Sequence, residues 1–142
     1  MKISARNVFK GKVTAVKPGA INSEVDLTTA GGDSIAAVVT NDSVSSLGLA
    51  VGSEVTALVK ASSVLVMAEG GDVKLSARNC LSGTISKITQ GPVSAEVTID
   101  LPGGAAVHAT ITHEANTELG LKVGGSATAV FKASAVILAV AA

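Results

Sequence analysis

The sequence predicts an all-β fold with short helices, arranged as two tandem five-stranded Greek-key barrels. Two observations carry this prediction. The chain of 142 residues repeats itself at a constant offset of 72, so that Ser4–Asn7 (Ser-Ala-Arg-Asn) returns as Ser76–Asn79, and Lys60–Ser62 (Lys-Ala-Ser) returns as Lys132–Ser134. Within each copy, short runs rich in β-branched residues alternate with turn signals, which is typical of small all-β domains.

The first three predicted strands of a copy are joined by tight turns. Val8–Lys17 is rich in β-branched residues, and the turn pair Pro18-Gly19 ends it. Ser23–Thr29 alternates apolar and polar residues, as a half-buried strand does. Gly31-Gly32 then favours a hairpin, so that Ser34–Thr40 returns as the third strand.

The pattern changes after the third strand. Asn41-Asp42-Ser43 offers N-cap candidates, and Gly48 stands where a left-handed residue ends a helix, so Ser43–Leu47 is predicted as one or two helical turns. Val55–Lys60 and Val64–Met67 follow as two further strands. Five strands with a helix between the third and fourth give the layout of the OB-fold.

The repeat sets the predicted domain boundaries at 1–69 and 73–142, with the polar, glycine-rich linker 69–72 holding the barrels close together. Each unit is small, and the whole chain has only two residues of the Phe, Trp and Tyr class, Phe9 and Phe131. Apolar residues make up 47% of the chain and charged residues only 15%, against about 25% in a typical soluble domain. We therefore expect a homo-oligomer in which a second subunit covers apolar surface.

Composition also argues against several classes of protein. The formal net charge is zero, so no nucleic acid partner is predicted. No long apolar run or signal peptide is evident, so a soluble cytoplasmic protein is expected. Cys80 stands alone, and His108 and His113 have the counterparts Ala36 and Asn41, so no disulfide or metal site is predicted.

Polar residues kept in both copies cluster at the ends of elements, where binding sites are usually built. They combine two cations with neutral donors, and a helix N-terminus follows the third strand. This set suits a tetrahedral dianion and lacks a general base or a paired nucleophile, so no enzyme is predicted. Glu24 and Glu96 are also shared, but their mid-strand positions predict outward, solvated or packing roles. The retained donors are Ser4, Arg6, Asn7, Thr40, Lys60 and Ser62, with Ser76, Arg78, Asn79, Thr112, Lys132 and Ser134.

Each donor also has a simpler interpretation. Thr40 could serve only as a helix N-cap, and Arg6 and Lys60 could be solvated surface charges. Ser62 could be an ordinary turn residue. The retention of all three clusters in both copies favours binding over these alternatives.

The motifs resemble those of the molybdate-binding mop domain. Ser-Ala-Arg-Asn precedes the first strand, a Leu-Gly-Leu-x-x-Gly stretch follows the helix, and Lys-Ala-Ser precedes the last strand, all in duplicate. A tandem pair without a helix-turn-helix or ATPase segment in this sequence resembles the molbindins of the di-mop type. The resemblance covers nearly the whole chain.

This resemblance implies an OB-like fold, a trimer, and oxyanion sites where subunits or domains meet. It implies cytoplasmic storage or buffering of molybdate, with tungstate also accepted and no catalytic cofactor. The backbone N–H groups of Ala61 and Ala133 would join the donors, and Asn41 against His113 could make the two classes of site unequal. The implied ligands are Ser4, Arg6, Asn7, Thr40, Lys60, Ala61 and Ser62 in one class, and Ser76, Arg78, Asn79, Thr112, Lys132, Ala133 and Ser134 in the other.

Three other functions compete with this hypothesis. An OB module that binds oligonucleotides or oligosaccharides would stack bases or sugars on aromatic residues, which are scarce here. An enzyme of cofactor assembly would need a base or a nucleophile, and neither recurs in both copies. A sensing subunit of a regulator or transporter would need a partner domain that this sequence lacks.

Overall fold

The computed structural model describes residues 1–68 and 73–142, so the predicted linker at 69–72 lies outside the described residues. Two five-stranded antiparallel sheets make up most of this structure, with two short helices in the described part, and the predicted all-β class is confirmed. Neither helix in this part of the chain has the length and apolar character needed to cross a membrane.

The element bounds follow the sequence prediction to within one or two residues. The first repeat contains β1 (Asn7–Pro18), β2 (Asn22–Thr29), β3 (Ser34–Thr40), α1 (Asn41–Leu47), β4 (Glu54–Val59) and β5 (Leu65–Ala68). The second repeat contains β6 (Asn79–Gln90), β7 (Ser94–Asp100), β8 (Ala106–Thr112), α2 (His113–Leu119), β9 (Ser126–Phe131) and β10 (Ile137–Ala139). A one-turn 3-10 helix precedes the last strand of each repeat, at Ala61–Ser63 and Ala133–Ala135.

Helix α1 begins two residues earlier than predicted because its N-cap is Thr40. The Thr40 hydroxyl accepts a hydrogen bond from the backbone N–H of Ser43 at 3.1 Å, which satisfies one of the unpaired donors of the first turn. At the other end, Gly48 adopts φ 63°, the left-handed conformation that a C-terminal glycine supplies. Thr112 and Gly120 repeat this arrangement in α2.

The two sheets exchange their fifth strands. One sheet has the order β10-β4-β1-β2-β3, and the other has the order β5-β9-β6-β7-β8. Leu138 of β10 lies opposite Ala57 of β4, and Val66 of β5 lies opposite Ala129 of β9. The predicted boundaries at 1–69 and 73–142 therefore follow the sequence repeats, while each sheet combines four strands of one repeat with one of the other.

Alternating apolar residues form a core that continues from one repeat into the other. Val25 and Leu27 on β2 are fully buried, and Val97 and Ile99 occupy the same places on β7. These residues belong to a single hydrophobic cluster. A shared core explains how two small repeats with few aromatic residues reach a folded state, since a unit of about 70 residues buries little surface alone.

The hairpin turns of the two repeats touch each other. Gly32 has φ 88°, as the predicted hairpin requires. Gly31 has another reason to be glycine, because a Cβ atom there would lie 2.7 Å from the carbonyl oxygen of Gly103. The two turns thus pack backbone against backbone, and no side chain fits between them.

Candidate functional site

A cavity of about 430 Å³ brings together five of the residues predicted to bind an oxyanion. Its polar side is formed by the segments that precede β6 and β10. Its other side is apolar and includes two residues of the first repeat, Val38 of β3 and Leu65 of the exchanged strand β5. The predicted residues in its lining are Ser76, Arg78, Lys132, Ala133 and Ser134, and the others are Val38, Leu65, Leu75, Ala77 and Val130.

Thr40 joins this group from the first repeat. A neighbouring cavity of about 360 Å³ contains Thr40 and Ser43, and it shares Val38 and Ser134 with the first cavity. The resemblance places Thr40 with Lys60–Ser62 of its own repeat, whereas the structure places it beside Ser134 of the other repeat. The candidate site is therefore built from both repeats.

The turn before β10 offers backbone donors as well as side chains. Lys132 is extended, and Ala133–Ala135 then forms a single 3-10 turn in which the N–H of Ala135 bonds the carbonyl of Lys132. The first N–H groups of such a turn have no partner inside it. Lys132 and Ser134 are exposed, while Ala133 is buried, so the lysine and the serine are accessible to a ligand.

The first repeat carries the equivalent turn, at the position that precedes its own last strand. Lys60 precedes the 3-10 turn Ala61–Ser63, which packs against β8, as the turn of the second repeat packs against β3. Strand β8 ends at Thr112, which caps α2. Lys60 and Lys132 form no ion pair with the described residues.

The two arginines of the repeated motif are bound by carboxylates of the opposite repeat. Arg6 donates two hydrogen bonds to Glu96, from Nη2 to Oε1 at 2.7 Å and from Nη1 to Oε2 at 3.2 Å. Arg78 donates in the same way to both oxygens of Glu24. The outward position predicted for both glutamates agrees with the alternating burial of β2 and β7. The arginine partners were not predicted, because residues 54 and 90 positions away cannot be read from strand periodicity.

Glu24 is the more enclosed of the two glutamates. Its side chain is 14% exposed, and it also accepts a hydrogen bond from Lys17 at 3.2 Å. Burial acts to raise the pKa of the Glu24 carboxyl, but the hydrogen bond from Lys17 and the charges of Arg78 and Lys17 lower that pKa below its ordinary value. Glu96 is 30% exposed, and His108 Nδ1 lies 4.0 Å from it.

The two asparagines of the motif are committed to structure. The side-chain amide of Asn79 donates to the carbonyl of Ala36 and accepts from its N–H, both at 2.8 Å. Asn7 makes the same pair of bonds with the backbone of His108. Both asparagines are 1% exposed, so they close the free edges of β3 and β8 and offer no accessible donor to a ligand.

The cavity combines hydrogen-bond donors with positive charge, and no carboxylate is among its lining residues. Exposed hydroxyl groups, a free lysine and backbone N–H groups surround the cavity, and a carboxylate lies behind its arginine. Neither histidine lines this cavity, and His113 is bonded to Gln90 and His108 to Thr98. No group of three or more metal-ligating side chains occurs within 1–68 and 73–142.

The sequence matches a known family in both repeats. The family model described as the TOBE domain matches residues 3–66 and 75–138, which are separated by the same offset as the repeated motifs. The match covers most of the chain and reproduces the internal duplication.

Several characterised proteins resemble the chain along nearly its whole length. The molybdenum-pterin-binding protein MopA of Rhodobacter capsulatus is 46% identical over 139 residues, which is 98% of this chain and 52% of that protein. The molybdenum transport protein ModE of Herbaspirillum seropedicae is 44% identical over 140 residues, which is 99% of this chain and 52% of that protein. The chain thus spans about half the length of these relatives.

A single repeat and a solved structure also match. Molybdenum-pterin-binding protein 3 of Clostridium pasteurianum is 47% identical over 68 residues, its full length and 48% of this chain. The crystal structure of the cytoplasmic molybdate-binding protein ModG with molybdate bound superposes with a TM-score of 0.97. It is 57% identical, and the match covers 99% of this chain and all of that one.

Proposed function

The chain belongs to the TOBE domain family in its tandem form, and from that premise we propose that it binds molybdate inside the cell and holds it in reserve, accepting tungstate as well. The observation that carries this proposal is the cavity in which Ser76, Arg78, Lys132 and Ser134 meet. Relatives that match most of this chain are named for molybdenum, and ModG has been crystallised with molybdate bound.

The chemistry of the cavity favours an oxyanion that carries no proton. Hydroxyl groups, backbone N–H groups and the ammonium of Lys132 all donate, and molybdate, tungstate and sulfate can accept on every oxygen at neutral pH. Phosphate is mostly monoprotonated there, and its O–H would face donors without an acceptor, at a cost of about 1–3 kcal/mol. Sulfate is smaller, so its hydrogen bonds should be longer and weaker than those of molybdate.

We propose that the protein is a homo-oligomer, with a trimer as the expected state. Pairs of apolar residues at equivalent positions of the two repeats are exposed in the single chain: Ile21 and Val93 are 75% and 78% exposed, and Leu65 and Ile137 are 67% and 62% exposed. Leu65 also lines the cavity. A second copy packed on these residues would remove apolar area from water, and at Leu65 it would also cover the cavity.

The competing hypothesis of an oligonucleotide-binding module has less support. Such modules stack bases on exposed aromatic side chains. Phe9 and Phe131 are buried, at 4% and 1% exposed, and the chain has no tryptophan or tyrosine. We infer that nucleic acid is not the ligand, and filter binding with single-stranded DNA tests this inference.

We also infer that the protein binds its ligand without transforming it. The carboxylates nearest the site, Glu24 and Glu96, are bound to arginines and do not line the cavity. A general base must reach the proton that it abstracts, and none of the predicted ligands has that capacity.

Equilibrium dialysis against molybdate, followed by metal analysis of the retained protein, tests the proposed function. The wild-type protein is expected to retain molybdate in the presence of excess phosphate or sulfate. Lys60→Ala combined with Lys132→Ala should weaken binding by at least about thirtyfold, because losing a charge partner in a partly desolvated site costs roughly 2–5 kcal/mol.

Lys12→Thr is the matched control for these lysine variants. Lys12 is exposed, and its counterpart in the second repeat is Thr84, so this change removes a positive charge at a place where the fold accepts threonine. It should leave the affinity for molybdate unchanged. A wild-type protein that retains no molybdate, or that binds phosphate as tightly, would contradict the proposed function.

A further inference from the structure

The strongest unassigned feature is the pair of glutamates that bind the motif arginines across the repeats. Glu24 of the first repeat holds Arg78 of the second, and Glu96 of the second holds Arg6 of the first. These four residues occur at equivalent positions in both copies, yet only the arginines were expected near an anion. Carboxylates beside an anion site call for an explanation, because like charges repel.

Glu24 acts through the arginine rather than on the ligand. Arg78 lines the cavity together with Lys132 and Ser134, and Glu24 does not. The carboxylate uses both its oxygens on the guanidinium, and Lys17 shares one of them at 3.2 Å. The guanidinium is therefore bound by a carboxylate that does not line the cavity and that Lys17 also contacts.

A guanidinium held in this way keeps donors for a ligand. Arginine has five N–H donors in a rigid fork, and a carboxylate occupies two of them. The remaining donors sit on a plane whose orientation the carboxylate fixes. An arginine without such a partner would lose the rotamer freedom of its long side chain on binding the anion.

We propose that Glu24 and Glu96 are positioning residues of the oxyanion sites, which fix the guanidinium groups of Arg78 and Arg6 so that these can donate to the bound anion. This proposal rests on the proposed function. It goes beyond that function because it assigns an acidic residue, which simple electrostatics would exclude, to the binding of an anion.

The two interpretations of Glu24 predict opposite changes in the affinity for molybdate when the carboxylate is removed. If the carboxylate only repels the anion, its removal raises the affinity for molybdate. If it positions Arg78, its removal lowers the affinity at the sites that contain Arg78. The loss is expected to be about 10–100-fold, by analogy with the loss of metal affinity when the hydrogen-bond partner of a metal ligand is removed.

Titration calorimetry with sodium molybdate on the intact 142-residue protein decides between them. Glu24→Ala is expected to bind more weakly than wild type at the affected sites, and Glu24→Gln, which keeps one acceptor oxygen, is expected to fall between the two. Glu54→Ser is the matched control, since Glu54 is an exposed carboxylate at the start of β4 whose counterpart is Ser126, and its affinity should equal that of wild type.

A double-mutant cycle separates positioning from general stabilisation. In the background of Arg78→Ala, the further change Glu24→Ala should cost no additional affinity, because the glutamate acts only through the arginine. A purely structural role would give additive losses. Thermal unfolding without ligand identifies any variant that fails to fold. If Glu24→Ala fails to fold, the affinity of Glu24→Gln for molybdate shows whether loss of the carboxylate weakens or strengthens binding.

The outcomes separate this inference from the proposed function. Wild-type protein that binds molybdate while folded Glu24→Gln binds equally or more tightly would overturn the inference alone. Additive losses in the double-mutant cycle would overturn it too. A wild-type protein that binds no molybdate would overturn the proposed function and the inference with it.

Discussion

At the scale of single residues, one four-residue motif performs two separate tasks. Asn79 replaces a missing strand at the edge of β3, because its amide bonds both the N–H and the carbonyl of Ala36 at 2.8 Å. Arg78, the residue before it, faces the cavity and Glu24. The asparagine therefore fixes the place of the arginine relative to the opposite repeat.

Asn79→Ala should lower the free energy of unfolding substantially. It leaves the N–H and the carbonyl of Ala36 without partners in a buried place, at a cost of about 1–3 kcal/mol for each group. Urea denaturation measures the effect. Ser82→Ala, which removes an exposed hydrogen bond of 2.8 Å to Thr128, is the control and should cost far less. Equal stability of Asn79→Ala and wild type would contradict the assigned role.

Glu24 should make the stability of the protein depend on pH in the acid range. Its pKa is lowered in the folded state, so its stabilising contribution is present above the pKa that it has in the unfolded chain. That contribution is lost as the pH falls through the folded pKa. Urea denaturation of wild type and Glu24→Gln from pH 7 to pH 3 should show a gap between the two proteins that closes as the pH falls. A gap that stays constant would contradict the lowered pKa.

Local contacts of single residues could be predicted from the sequence, whereas contacts between the two repeats could not. The N-cap role of Thr40 was among the predicted alternatives, because Thr40 and Gly48 flank one short helix and their signals are local in the sequence. The partner of Asn7 is the backbone of His108, which lies 101 residues away. A hydrogen bond to a backbone group does not depend on which residue the partner is, so the partner cannot be identified from the sequence. The presence of asparagine in both copies indicated that the residue matters but did not indicate what it does.

At the scale of elements, the hairpin between β2 and β3 also serves as a contact between the repeats. The sequence predicted a turn at Gly31-Gly32, which the structure confirms. It gave no sign that the turn meets its counterpart at Gly103, because turn chemistry alone accounts for two glycines. Gly32 satisfies the turn, with φ 88°, and Gly31 permits the contact.

Gly31→Ala should therefore destabilise the packing of the two repeats. The added Cβ would lie 2.7 Å from the carbonyl oxygen of Gly103, and the backbone would have to move, at a cost of about 1–3 kcal/mol. The midpoint of thermal unfolding measures the loss. Ala30→Ser, at an exposed position of the same turn, is the control and should be neutral. A midpoint unchanged in Gly31→Ala would show that the turns separate freely.

At the scale of the whole molecule, the exchange of β5 and β10 makes the repeats interdependent. Each repeat contributes a strand, an asparagine and an arginine to the other, and the candidate site uses residues of both. Periodicity predicted the ten strands well, because each strand's pattern is local. It could not assign the fifth strand to a sheet, because two repeats with the same order of elements offer equivalent edges to β5 and β10.

Deleting residues 137–142 tests this exchange, because the damage should appear in the first repeat. Strand β10 pairs with β4, with Ile137 opposite Leu58 and Ala139 opposite Thr56, so its loss exposes the edge of β4. Hydrogen exchange should accelerate at the amides of β4, while β9, which pairs with β5 and β6, keeps its protection. If each repeat instead used its own fifth strand, the loss of protection would fall on β9. Faster exchange at β9 with β4 unchanged would therefore refute the exchange of strands.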